Sequence, residues 1–85
     1  MGKVPRTTVQ IRIVRQCWHE GAIEGELQAN DWEWRFRWNF RRGQLRIDPT
    51  SGSALIREPL SRFLERWDYN LEAGGNYSFV VRSRL

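Results

Sequence analysis

Between positions 32 and 40 every second residue is a large aromatic ring: Trp32, Trp34, Phe36, Trp38 and Phe40, separated by Glu33, Arg35, Arg37 and Asn39. A period of two puts successive side chains on opposite faces of a strand, whereas a helix would scatter the five rings around its circumference. The segment is therefore a β-strand with one aromatic face and one polar face. It demands a covering layer, because a chain of 85 residues has a single small core in which to bury such rings.

The neighbouring segments supply partners for this strand. Ala22 to Ala29 alternates in the same way, with Ile23, Gly25, Leu27 and Ala29 facing inward and Glu24, Glu26 and Gln28 outward. A two-residue turn at Asn30-Asp31 makes paired positions sum to 61, so Ile23 meets Trp38, Gly25 meets Phe36 and Leu27 meets Trp34. On the other face Glu26 meets Arg35 and Glu24 meets Arg37. Gly25 has a purpose here, since its missing side chain leaves room for the Phe36 ring. A second turn at Arg42-Gly43 makes pairs sum to 85, which sets Phe40 against Leu45, Trp38 against Ile47 and Arg37 against Asp48. An earlier strand, Thr7 to Val14, points Val9, Ile11 and Ile13 inward.

After the turn-rich stretch Asp48 to Gly52 the period changes. Ile56, Leu60, Phe63, Leu64 and Trp67 recur at three- and four-residue spacing and form one apolar helical stripe. Pro59 is tolerated only near a helix start, which places the helix from about Ile56 to Tyr69, with Asn70 and Gly74-Gly75 beyond its end. A cap at Ser53 with a kink at Pro59 is the alternative. The last strand, Asn76 to Arg84, points Tyr77, Phe79 and Val81 one way. The fold class is thus α+β: a five-stranded antiparallel sheet in the order β-β-β-β-α-β, with one amphipathic helix on its aromatic face. A sheet curled into a small barrel, plugged by the helix, is the competing arrangement. Residues 7–85 form one domain behind a flexible N-terminus of residues 1–6.

Composition narrows the function classes. No apolar run approaches the ~20 residues of a membrane-spanning helix, and Met1 to Thr8 lacks the apolar stretch of a secretory signal. A cytoplasmic setting without membrane insertion is expected. Cys17 is the one cysteine, so it makes no internal disulfide and no thiolate metal cage. His19, the one histidine, lacks further ligands or an orienting group for metal or nucleophilic chemistry. Glu24 and Glu26 stand about 7 Å apart along a strand, a separation hydrolases use. Each nevertheless has an arginine opposite, which holds both ionised and unsuited to acid catalysis. The glycines form no phosphate-binding pattern. The chain is expected to be no enzyme and to carry no cofactor.

Arginines are the remaining functional handle. They make up thirteen of the fourteen basic residues, in a chain of net charge +4 and pI near 10.2. Arg35 and Arg37 have acidic partners across the strands, whereas Arg41, Arg42 and Arg46 cluster at a hairpin without them. Arg12 lies on the outer face, and Arg82 and Arg84 extend the last strand. These six, Arg12, Arg41, Arg42, Arg46, Arg82 and Arg84, are the candidate partner-binding residues, because a planar guanidinium suits either carboxylates or phosphates. A protein partner is the first reading, and RNA or DNA bound by the same surface is the second. Aromatic sheets do stack bases, but the scarcity of other large apolar residues assigns these rings to the core. The basic–glycine–aromatic signature of RNA-recognition sheets is also absent. The chain is expected to be a monomer or a homodimer joined edge to edge through its first or last strand.

The stretch Cys17-Trp18-His19-Glu20-Gly21 through Trp34-Arg35-Phe36-Arg37-Trp38, followed by Ala54-Leu55-Ile56-Arg57-Glu58-Pro59-Leu60 and Phe63-Leu64-Glu65-Arg66, resembles a family of short cyanobacterial proteins of unknown function. The resemblance spans nearly the whole chain and carries no catalytic motif. It implies a cytosolic or stroma-like bacterial setting and an accessory role beside a larger complex.

Overall fold

The computed structural model describes residues 5–67 and 71–83, with the Trp67 side chain outside the description. The packing expected of Trp67, the helix end expected at Tyr69 and Asn70, and Arg84 therefore lie outside the described residues. Strands β1 (Thr7–Cys17), β2 (Ala22–Ala29), β3 (Trp32–Asn39) and β4 (Gln44–Asp48) precede helix α1 (Ala54–Trp67), and β5 (Asn76–Val81) follows it. The five strands form one antiparallel sheet in the spatial order β4-β3-β2-β1-β5. It stays open, so the barrel alternative falls. The first four strands meander across the sheet, and the helix carries the chain back beneath it to the far side of β1. Its closest approaches are to β5 and β4, the two edges.

The β2–β3 pairing is the expected one, from Ala22 opposite Asn39 to Ala29 opposite Trp32, with Asn30 at φ 54° in the turn. Gly25 faces Phe36, and a Cβ there would stand 2.6 Å from both the Phe36 ring and the Arg12 carbonyl oxygen. The β3–β4 register corrects the expectation by two residues: Trp38 meets Leu45, Phe36 meets Ile47 and Arg37 meets Arg46, while Asp48 falls opposite Arg35. The connection is a four-residue loop, Phe40 to Gly43. The Phe40 amide donates to the Gly21 carbonyl, the Arg42 amide donates to Asn39 Oδ1, and Gly43 adopts φ 64°. A shift of two preserves which face each residue occupies, so the hydrophobic pattern could not detect it.

Strand β1 runs three residues beyond its expected end and carries a bulge at Val14, after which Arg15 pairs with Glu24 and Cys17 with Ala22. The helix begins two residues before its expected start. The Ser53 carbonyl accepts the amides of Ile56 and Arg57, and the Ser53 hydroxyl donates to the Thr50 carbonyl, so Ser53 anchors this end. Pro59 is consequently the sixth helical residue, where it deprives the Leu55 carbonyl of its usual donor.

Ile56, Leu60 and Leu64 of the helix are fully buried against Val9, Ile11, Ile13, Ile23, Leu27, Trp34, Phe36 and Trp38. Phe63 packs beside Tyr77 and Phe79, with ring centroids 6.0 and 6.1 Å away. Of the five alternating rings, Trp34, Phe36 and Trp38 are buried, Phe40 is half-buried and Trp32 is 39% exposed. Helix direction explains this. The helix crosses the sheet from the β4 edge to the β5 edge, so it covers the middle of the ring row and leaves the rings toward either end less covered. Trp32 instead stacks flat on Trp34 at 5.7 Å, while the Trp34 indole N–H donates to the Ser51 carbonyl.

Gly25→Ala is expected to destabilise the fold by about 1–3 kcal/mol through overpacking. Phe36→Leu in the same chain should recover only part of the loss, because the Arg12 carbonyl remains in the way. Urea unfolding followed by tryptophan fluorescence measures both; an unchanged midpoint for Gly25→Ala would contradict the packing described.

Candidate functional site

The helix covers the aromatic face, and the opposite face carries the sheet's charges. The strand registers line these up in rows. One row runs Asn76, Arg12, Glu26, Arg35, Asp48 across β5, β1, β2, β3 and β4. Its charges alternate in sign, so each arginine has a carboxylate opposite and the row is neutral as a whole. An open groove of about 720 Å³ lies over it, flanked by Gln10 and Gln28.

The adjacent row runs Arg15, Glu24, Arg37, Arg46, and it ends on two like charges. Arg15 and Glu24 form an ion pair at 2.6 Å, and Arg37 reaches Glu24 at 3.4 Å and Glu20 at 3.1 Å. Hydrogen bonding and charge from Arg37 hold the Glu20 carboxyl below its ordinary value of 4.5. Glu24 in turn raises the Arg15 guanidinium above its ordinary range through a hydrogen bond and its charge. Arg46 has no acidic group within ion-pairing distance among the described residues, and neither has Arg42 in the loop beside it. A second open cleft, about 550 Å³, wraps the β4 edge between Arg37, Arg46, Asn39, Gln44 and Arg57. Although the neutral groove is larger, the cleft has the unbalanced charge.

The expected site residues therefore separate. Arg46 lines this basic corner, and Arg42 is in the loop next to Gly43, which also lines it. Arg12 lies in the neutral row, and Arg82 is exposed beyond β5 at the far edge of the sheet. Arg41 serves the fold instead, because its guanidinium donates to the carbonyls of Trp18 and His19, at 3.1 and 3.2 Å, and its stem lies over Gly21. It thus ties the β3–β4 loop to the β1–β2 turn, where Trp18 packs on Phe40 at 5.6 Å. Cys17 is buried with its Sγ 3.9 Å from Glu24 Oε1, whereas His19 is exposed on the turn. Sequence reasoning missed Arg57, whose guanidinium donates to the Leu45 carbonyl at 2.8 Å and so joins the corner from the helix. No local pattern marks it, because only the helix–β4 contact brings it there.

Residues 5–84 match a protein family described as "Protein of unknown function (DUF3146)". The chain belongs to that family. No curated protein and no solved structure matches it. Membership thus spans the whole sheet and helix and assigns no residue a role. Among the described residues no helix is long and apolar enough to cross a membrane, and no three of histidine, cysteine, aspartate and glutamate gather to hold a metal.

Two outcomes follow from the ion pairs and the Arg41 clasp. Because the folded-state pKa of Glu20 is depressed, its contribution is present above the ordinary value of 4.5 and is lost as pH falls through the folded value. A carboxyl titration by NMR should show the Glu20 midpoint below 4.5 in the native chain and rising toward it in Arg37→Gln. Arg41→Ala should cost about 1 kcal/mol and increase exchange of the Glu20 and Gly21 amides, which donate across the turn to the carbonyls of Cys17 and Trp18. Unaltered exchange would deny Arg41 its structural part.

Proposed function

We propose that this domain is a non-enzymatic interaction module of the cytoplasm that binds an acidic segment of a protein partner at the corner built by Arg37, Arg42, Arg46 and Arg57. The observation that carries the reading is the placement of Arg46 directly opposite Arg37. Like charges facing each other across two strands are destabilising, and an anion seated between them removes that cost. Arg37 is already shared between two glutamates, which leaves Arg46 and Arg42 to receive a ligand's carboxylates. The neutral row beside the corner limits the attraction to one end of the sheet.

Burial of the rings favours a protein over nucleic acid. Single-stranded nucleic acid binds through exposed aromatic platforms flanked by cations, and here Trp34, Phe36 and Trp38 lie beneath the helix, on the sheet face opposite Arg37 and Arg46. The resemblance to short cyanobacterial proteins supports an accessory role beside a larger complex in such a cell.

A labelled Glu- and Asp-rich peptide titrated by fluorescence anisotropy tests the reading, with labelled single-stranded and duplex nucleic acid as parallel probes at two salt concentrations. The peptide is expected to bind and to weaken with salt. Arg42→Glu with Arg46→Glu should lower its affinity by at least about tenfold, or roughly 1.4 kcal/mol, while Arg12→Glu in the neutral row should change it far less. Tighter binding of nucleic acid than of peptide, or equal peptide binding by all variants, would overturn the proposal.

A further inference from the structure

An open sheet has two edges whose backbone groups can pair with another strand, and the two edges of this sheet differ sharply. At β4 the strand contains Arg46 and Asp48, Pro49 follows directly, and Arg57 occupies the Leu45 carbonyl, which points outward. That edge is guarded. Strand β5 reads Asn-Tyr-Ser-Phe-Val-Val, with no charge and no proline, and its Val80 side chain is 55% exposed.

The ladder with β1 shows which β5 groups face out. The Ile13 amide donates to the Gly75 carbonyl and the Ile13 carbonyl accepts from the Gly74 amide, so Ile13 directs its backbone toward β5. By alternation so do Ile11, Val9 and Thr7, whose partners are Tyr77, Phe79 and Val81. The N–H and C=O groups of Asn76, Ser78 and Val80 therefore point away from the sheet. Among the described residues no turn, loop or side-chain hydrogen bond reaches them.

We infer that β5 is a homodimerisation edge, pairing antiparallel with β5 of a second copy about a two-fold axis at Ser78. Three features select a second copy as the occupant. Outward groups at 76, 78 and 80 are self-complementary about Ser78, so Asn76 meets Val80 of the second copy and Ser78 meets its own mate. The same register sets Tyr77 against Phe79 of the second copy on the aromatic face, a favoured cross-strand pair, and does so twice. Arg82, just past the end of β5, and the exposed Glu72, before its start, then lie toward the same end of the interface on opposite copies. Each copy carries net charge +4, and at this uncharged edge two copies meet without setting like charges against each other. The result is a continuous ten-stranded sheet, with the basic corners at its two far ends. The inference is independent of what those corners bind.

Light scattering and concentration-dependent hydrogen exchange test it. The native chain is expected to approach twice its 10.2 kDa mass as concentration rises, with the amides of Asn76, Ser78 and Val80 becoming protected and those of Leu45 and Ile47 unaffected. Ser78→Pro removes an outward N–H without taking a donor from the ladder to β1, and Val80→Lys places a charge on the edge; each should give a monomer at the same concentration with unchanged circular dichroism. If the proline variant fails to fold, the lysine variant alone decides. A native chain that stays monomeric at millimolar concentration, a dimer that survives Val80→Lys, or protection at Leu45 and Ile47 in place of Ser78 and Val80 would overturn the inference.

Discussion

The structure depends on burying Trp34, Phe36 and Trp38 beneath one helix. In a domain of this size those three rings are a large share of the core, and each imposes a condition on its surroundings. Phe36 requires the bare backbone of Gly25 on the next strand. Trp34 carries a polar N–H into a dry site, so the loop after β4 must offer the Ser51 carbonyl in return. That contact fixes the loop that ends in Ser53, where the helix starts. The position of α1 thus follows from the rings it covers, and β5 follows from the helix returning the chain to the free side of β1. The network leaves no buried polar side-chain atom without a partner among the described residues.

With the aromatics confined to one face, the charges are left to arrange themselves on the other, where burial has no say and the register decides. Across most of that face the strands place opposite signs side by side, which spreads small favourable pairings and keeps the field low. The exception is the end of the sheet at β4, where Arg37 and Arg46 face one another and Arg42 and Arg57 stand near. Unbalanced positive charge therefore collects at that end of the sheet. The two sheet edges are equally unlike: one is capped by an arginine from the helix, the other is plain backbone.

Legibility in the sequence followed the physics that each feature obeys. The strands β1, β2, β3 and β5 and the helical stripe Ile56, Leu60, Phe63, Leu64 were readable because burial imposes a period on the residues themselves. The β2–β3 register was readable because Asn30-Asp31 leaves a two-residue turn and only one pairing puts Gly25 under Phe36. The β3–β4 register was not, since a two-residue slip keeps every ring inside and every charge outside; the Phe40 amide, drawn to Gly21 in a different hairpin, settled it. Arg41 illustrates the same limit. In sequence it belongs with Arg42, whereas in space it clasps the turn at Trp18 and His19.

The sequence alone determined the layers: which residues turn inward, the number of elements, and the separation of rings from charges, because these depend on local periodicity and on the cost of leaving large apolar groups in water. Tertiary structure decided which charges become neighbours, which helix residue reaches the β4 edge, and which edge stays open. Those properties depend on loop length and on contacts between residues far apart in the chain. A displacement of two positions, invisible to the hydrophobic pattern, is enough to exchange an aspartate for an arginine opposite Arg37 and to turn a neutral sheet end into a basic one.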